Sequence, residues 1–235
     1  MTVTEAGGRT GTPSRVVHPR LPARRGGARA ATWWGRAWLR AVEEAAYDEA
    51  DLVAARRLAR SGRIGGIIVD RGSFVAAVED DGGLWTTSGT VPVLDDAARD
   101  AFVETVAAEA GRVAALMAGD LPHTLVEHAE DAGAELLPYG GELGATCTCE
   151  SWTDPCVHAL AVLTQVGWLV DGDPFVLLQL RGLPREDLLA RLHARADPVE
   201  EDPLATDDDT AYDAALRAAR ALDLLADGQG IDHLL

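Results

Sequence analysis

Four residues within twelve positions constrain this chain more than anything else in it: Cys147-Thr-Cys149, six further residues, then Cys156-Val-His158. Three thiols and one imidazole are a donor set for tetrahedral zinc. In an extended strand residues i and i+2 share a face, so Cys147 and Cys149 can grip one ion from one side. Six residues are enough to turn the chain back, and Asp154-Pro155 then leads into a helix whose apolar body is Ala159–Val166. Two helical residues rotate the chain by about 200°. Cys156 must therefore precede the helix, with His158 in its first turn. Four protein ligands leave no coordination position for water, so a single structural ion is expected and a catalytic one is not. The chain's cysteines all lie in this cluster, an odd, crowded set that suits a metal in a reducing compartment better than a disulfide framework. Two other readings are packed thiols and a thiol-based redox or metal sensor. The polar, turn-rich neighbourhood opposes the first, and a CxC redox pair leaves Cys156 and His158 without a role.

Around this segment the hydrophobic pattern predicts an α+β protein. Residues 1–30 are rich in Gly, Pro, Arg and Thr, lack a period, and read as a disordered Arg-rich tail. A helical pattern runs from Trp34 to about Ala59, with Trp34, Trp38, Val42 and Ala45 on one face, the tryptophans as core anchors. Ile64–Asp70, Ser73–Glu79 and Leu84–Thr87 predict a small antiparallel β meander, with turns at Arg71-Gly72 and Asp80-Asp81-Gly82-Gly83. A helix capped by Asp95 or Asp96 should follow over Ala97–Met117, then a shorter one over Leu121–Ala132 and a strand over Glu135–Tyr139. Helices are expected at Pro174–Leu180 and Pro184–Ala194. An acidic linker, 197–210, should precede a final helix near 211–225. The expected organisation is thus a tail (1–30), a core (31–196) carrying a zinc-stapled strand–turn–helix at about 144–166, and a C-terminal linker and helix (197–235).

The pattern CxC, short spacer, CxH resembles the SWIM zinc finger, with Cys147, Cys149, Cys156 and His158 matching its four ligands position by position. Trp152 in the spacer and the apolar Ala159 to Leu163 also look like that family. So do the flanks Thr32-Trp33-Trp34-Gly35-Arg36-Ala37-Trp38 and Asp173-Pro174-Phe175, which extend the resemblance over about 31–195. SWIM fingers occur in bacterial proteins encoded near Swi/Snf-type helicases, in Mutator-type transposases and in some kinases. The resemblance implies a binding module for protein or DNA, with a helicase-like ATPase as partner.

Charge decides where nucleic acid could bind. The formal net charge is −17, yet residues 1–40 hold eight arginines and only Glu5, leaving −24 on the rest. An acidic body repels phosphate, and no Lys or Arg lies between Cys147 and Arg181, which argues against DNA contact by the finger itself. The candidate nucleic-acid or partner contacts are Arg20, Arg24, Arg25 and Arg29 of the tail and Arg56, Arg57, Arg60 and Arg63 inside the fold. No Walker loop, GxGxxG or Ser-His-Asp spacing is present, and Gly62–Gly66 lacks the Lys-Ser/Thr of a phosphate loop. A non-enzyme is expected, without a small-molecule substrate. No apolar run approaches the ~18 residues of a membrane span, and the polar N-terminus is unlike a signal peptide, so the cytoplasm is the expected location.

Overall fold

The computed structural model describes residues 15–26 and 30–195, together with positions 212, 215 and 216, which are helical. The chain divides into two compact units, 1–192 and 193–235. The architecture below is that of the first unit. The acidic linker and most of the C-terminal helix expected from the sequence lie outside the described residues, as does the first part of the tail.

The elements run β1 (Val16–His18), α1 (Trp33–Ala45), α2 (Glu49–Arg60), β2 (Ile64–Asp70), β3 (Ser73–Asp80), β4 (Gly83–Thr90), α3 (Asp96–Ala107), α4 (Ala110–Met117), α5 (His123–Asp131), β5 (Gly144–Cys147), α6 (Val157–Gly172), α7 (Pro174–Leu180) and α8 (Arg185–Arg195). The expected three-stranded meander is the middle of a five-stranded antiparallel sheet ordered β1-β2-β3-β4-β5. Alternation of Phe74, Ala76 and Val78 on β3 buries one face of the sheet. The register places Gly89 opposite Phe74, and a Cβ at Gly89 would lie 1.9 Å from the Phe74 ring, so only glycine fits beneath that side chain.

One edge strand corrects the sequence reading, and the other is the strand expected of the clasp. Val16–His18 falls inside the stretch read as disordered, yet pairs with β2 through Val17↔Ile68. Gly144–Cys147 pairs with β4 through Thr87↔Cys147. The strand expected at Glu135–Tyr139 does not form; that segment is irregular and leads into a 3₁₀ turn at Gly140–Glu142. Two long helical patterns are each broken in two. Asp48 interrupts the first, its carboxylate accepting the Asp51 N–H as an N-cap. The second breaks at Ala108-Glu109, which turns Met117 out to solvent while Phe102 and Val106 stay buried.

The core is organised by α6, whose residues 159–167 are all buried. A helix apolar on every side must be enclosed on every side, and α1, α2, α7 and the sheet surround it. Trp34 and Trp38 are core anchors, their indole N–H groups donating to the carbonyls of Val170 and Leu163. A Cβ at Gly167 would lie 2.7 Å from the Trp38 ring, so this glycine sets how closely α1 and α6 approach. Gln165 and Gln179 donate to Ala59 O and Val69 O, satisfying carbonyls at the ends of α2 and β2. Among the described residues no helix is long and apolar enough to cross a membrane.

Asp171, at the far end of α6, fastens the start of α1. Its carboxylate accepts the N–H of Ala31 and both the N–H and the hydroxyl of Thr32, the latter two at 2.8 and 2.7 Å. Asp171→Ala orphans all three donors and should lower unfolding free energy by about 2–3 kcal/mol, read as a lower urea midpoint with zinc content unchanged. An unmoved midpoint would refute this anchoring role.

Candidate metal centre

Cys147 is the last residue of β5, and pairing with β4 continues one step beyond it. Thr148 N–H donates to Thr86 O and Thr86 N–H donates to the Thr148 hydroxyl, each at 3.0 Å. This extended pairing keeps Cys149 on the same side as Cys147. The intervening loop, with a cis Asp154-Pro155 bond, returns the chain to α6. Cys156 is the N-cap of that helix, with φ −78° and ψ 173°, outside helical geometry, and His158 lies in the first turn. That is the arrangement the CxH spacing demands.

The four donor atoms, three Sγ and one ring nitrogen, all lie within 4.8 Å of one another. Cys147 Sγ is 3.8 Å from His158 Nδ1, and Cys149 Sγ is 3.5 Å from Cys156 Sγ. A tetrahedral zinc with ordinary bond lengths separates its ligand atoms by about 3.6–3.8 Å. Residues and distances fit one zinc ion, and the set is arranged to bind it.

Protein groups around the thiols prepare them for a cation. Burial pushes the Cys147 thiol up, but hydrogen bonds from the buried Thr87 hydroxyl at 3.4 Å, from the Cys149 N–H and from the neighbouring thiols outweigh it and lower the thiol below its ordinary value. Burial pushes Cys156 up to about 12, offset by the Ala159 N–H and reinforced by the adjacent sulfurs. Zinc binding must therefore displace protons, so affinity rises with pH.

His158 points Nδ1 into the cluster and Nε2 at Asp80 Oδ2, 3.2 Å away. A carboxylate on the distal ring nitrogen fixes both tautomer and ring orientation for metal binding. Asp80 is itself held by Arg63 Nη2 at 3.2 Å and by the Asp81 N–H at 2.8 Å. Its carboxyl lies below the usual range, chiefly because of that backbone N–H, with the His158 and Arg63 contacts adding to it against burial. The Trp85 ring lies beside the imidazole, centroids 6.0 Å apart and planes tilted by 30°. Asp80, Thr87 and Trp85 escape sequence reasoning. Asp80 carries only a turn signal, and 78 residues separate it from the histidine it orients.

The candidate arginines divide. Arg29 lies outside the described residues. Arg20 donates to Gly62 O, and the Arg24 N–H donates to Arg60 O at 2.9 Å, bringing residues 20–25 alongside the end of α2. Arg24 also stacks over Trp168, 4.6 Å from the ring centroid. Arg25 and Arg57 are exposed, Arg60 is half-buried, and Arg56 pairs with Glu43. Arg63 is turned away to Asp80 and Asp81 and supports the metal centre.

Two substitutions test the centre. Cys149→Ser removes a thiolate and should abolish stoichiometric zinc, with loss of protection in 144–158 by hydrogen exchange. Asp80→Asn should keep the metal but weaken zinc affinity about 10–100-fold in chelator competition. Wild-type affinity in Asp80→Asn would show that Asp80 does not orient His158.

Residues 131–167 match the family model described as "SWIM zinc finger". A Mycobacterium tuberculosis (strain ATCC 25618 / H37Rv) protein described as "Uncharacterized protein Rv2102" is 31% identical over 174 residues, which cover 73% of this chain and 62% of that relative. The match thus spans less than two thirds of the relative's length. No solved structure matches. The CxC–CxH ligands, their tetrahedral spacing and the family match agree on one conclusion: residues 131–167 carry a SWIM-type zinc finger.

Proposed function

We propose that the chain is a non-catalytic module whose zinc finger presents a protein-docking face centred on Trp152. The observation that carries this is the exposure of Trp152. The finger loop holds it 81% exposed, in edge-to-face contact with Tyr47, itself 67% exposed, with centroids 5.3 Å apart. Large aromatic side chains are normally buried, and exposed aromatic anchors dominate protein interfaces. The zinc clasp fixes the loop beforehand, which lowers the entropy lost on docking. Four protein ligands fill a tetrahedral shell, so water activation by the ion has no position to use. Family resemblance points to a Swi/Snf-type helicase-like ATPase as the partner.

A second contact, with DNA, is favoured by one observation. The Arg24–Arg60 backbone bond joins the arginines of residues 20–25 to those of α2 in one basic face. The finger surface carries Glu150 and Asp154 instead, and does not suit phosphate.

The test uses the full chain, zinc-loaded, against a purified Swi/Snf-type ATPase from the same organism. Binding should vanish on chelation. Trp152→Ala, with zinc retained, should weaken it about 30-fold, equivalent to roughly 2 kcal/mol. Unchanged affinity in Trp152→Ala would overturn the docking face.

A further inference from the structure

A cleft of about 620 Å³ lies between α1, α2 and α6, apart from the finger. Its rim carries Arg36, Arg40, Arg56 and Arg60, and its apolar lining includes Leu39, Val42, Leu52 and Trp168, whose ring carries the Arg24 guanidinium on one face. Glu43 is the acid in this lining, and it is engaged by Arg56. Arg36 gives one N–H to Ala31 O. The guanidinium groups of Arg40 and Arg60 have neither an ion pair nor a hydrogen bond among the described residues. The Trp168 indole nitrogen is buried and finds no acceptor there either. Such a concentration of cations is unexpected in a chain with a net charge of −17. Like charges repel, so gathering them around a hollow costs stability unless an anion is bound there.

From this we infer that the cleft is a binding site for a nucleotide, with phosphate on the arginine rim and base against the apolar floor. The volume falls in the range of small-ligand sites. Guanidinium groups suit bidentate phosphate contacts. An aromatic and aliphatic floor suits a base, whereas a purely acidic ligand would have no use for it. The cleft is separate from the zinc: Trp168 lies ten residues after His158 on α6, about 15 Å along the helix. It narrows the basic-face contact proposed above to one pocket. Arg25 and Arg57 belong to that face but not to the lining of the cleft, so the two ideas can fail separately.

The experiment is calorimetric titration of the full zinc-loaded chain with ATP, adenosine, a 5′-phosphorylated six-nucleotide single strand and hexaglutamate. ATP or the strand should bind, with adenosine at least about tenfold weaker than ATP or undetected. Whichever of ATP and the strand binds more tightly identifies the source as a free nucleotide or a strand end. The double variant Arg40→Glu, Arg60→Glu should weaken binding at least about 30-fold at unchanged zinc content. Should it lose zinc, Arg40→Gln with Arg60→Gln takes its place, with at least about tenfold weakening expected. Trp152→Ala should leave nucleotide affinity unchanged, and Arg25→Ala with Arg57→Ala should too, even if DNA affinity falls. Binding of neither ATP nor the strand, hexaglutamate binding as tightly as ATP, or nucleotide affinity indifferent to Arg40 and Arg60 would overturn the assignment.

Discussion

One ion clasped between a sheet edge and the start of the central helix is the constraint on which this finger depends. Cys147 ends β5, and Cys156 and His158 open α6, so a single zinc joins the sheet to the helix around which the core is packed. Structural zinc in small fingers contributes on the order of 10–16 kcal/mol, far more than a four-residue strand and an irregular loop could supply by themselves. Asp80 extends the clasp to the β3–β4 hairpin and, through Arg63, to the turn after α2. The sheet and helix thus orient the ligands, and the ligands in turn fix the loop that displays Trp152.

The opposite end of α6 is secured by different chemistry. There Asp171 and the indole N–H of Trp34 bind α1 through hydrogen bonds, and Gly167 lets the two helices approach closely. Between those ends α6 packs against apolar side chains, with two buried polar ties: the Trp38 indole N–H to Leu163 O from α1, and Gln165 to Ala59 O of α2. The basic cleft lies along this stretch, bordered by Thr164 and Trp168. One helix therefore underlies both the metal centre and the cleft, while the acidic finger and the arginine rim keep distinct electrostatic characters.

What could be read from the sequence was local, and what could not was long-range. The ligand set was legible because its four residues lie within twelve positions, and simple rotation per residue dictates that Cys156 precedes the helix. The tryptophan stripe and the central strands were legible from periodicity. The pairing of β5 was not: the CxC spacing calls for a strand there, but Gly144 and Ala145 have little strand preference of their own, and only the fold shows that β4 is the partner. The same holds for Val16–His18, three residues in a Gly- and Arg-rich stretch that pair with β2. Asp48 was hidden within a helical period, where its capping role depends on backbone geometry that a period cannot reveal. Asp80 reads as a hairpin turn until the fold sets it beside His158.

X-ray absorption at the zinc edge on the purified full chain tests the central claim most directly. One zinc per chain, with three sulfurs at about 2.3 Å and one nitrogen at about 2.0–2.1 Å, is the expected result. A shell containing a water or carboxylate oxygen, or fewer than three sulfurs, would contradict the clasp and reopen the question of a catalytic ion.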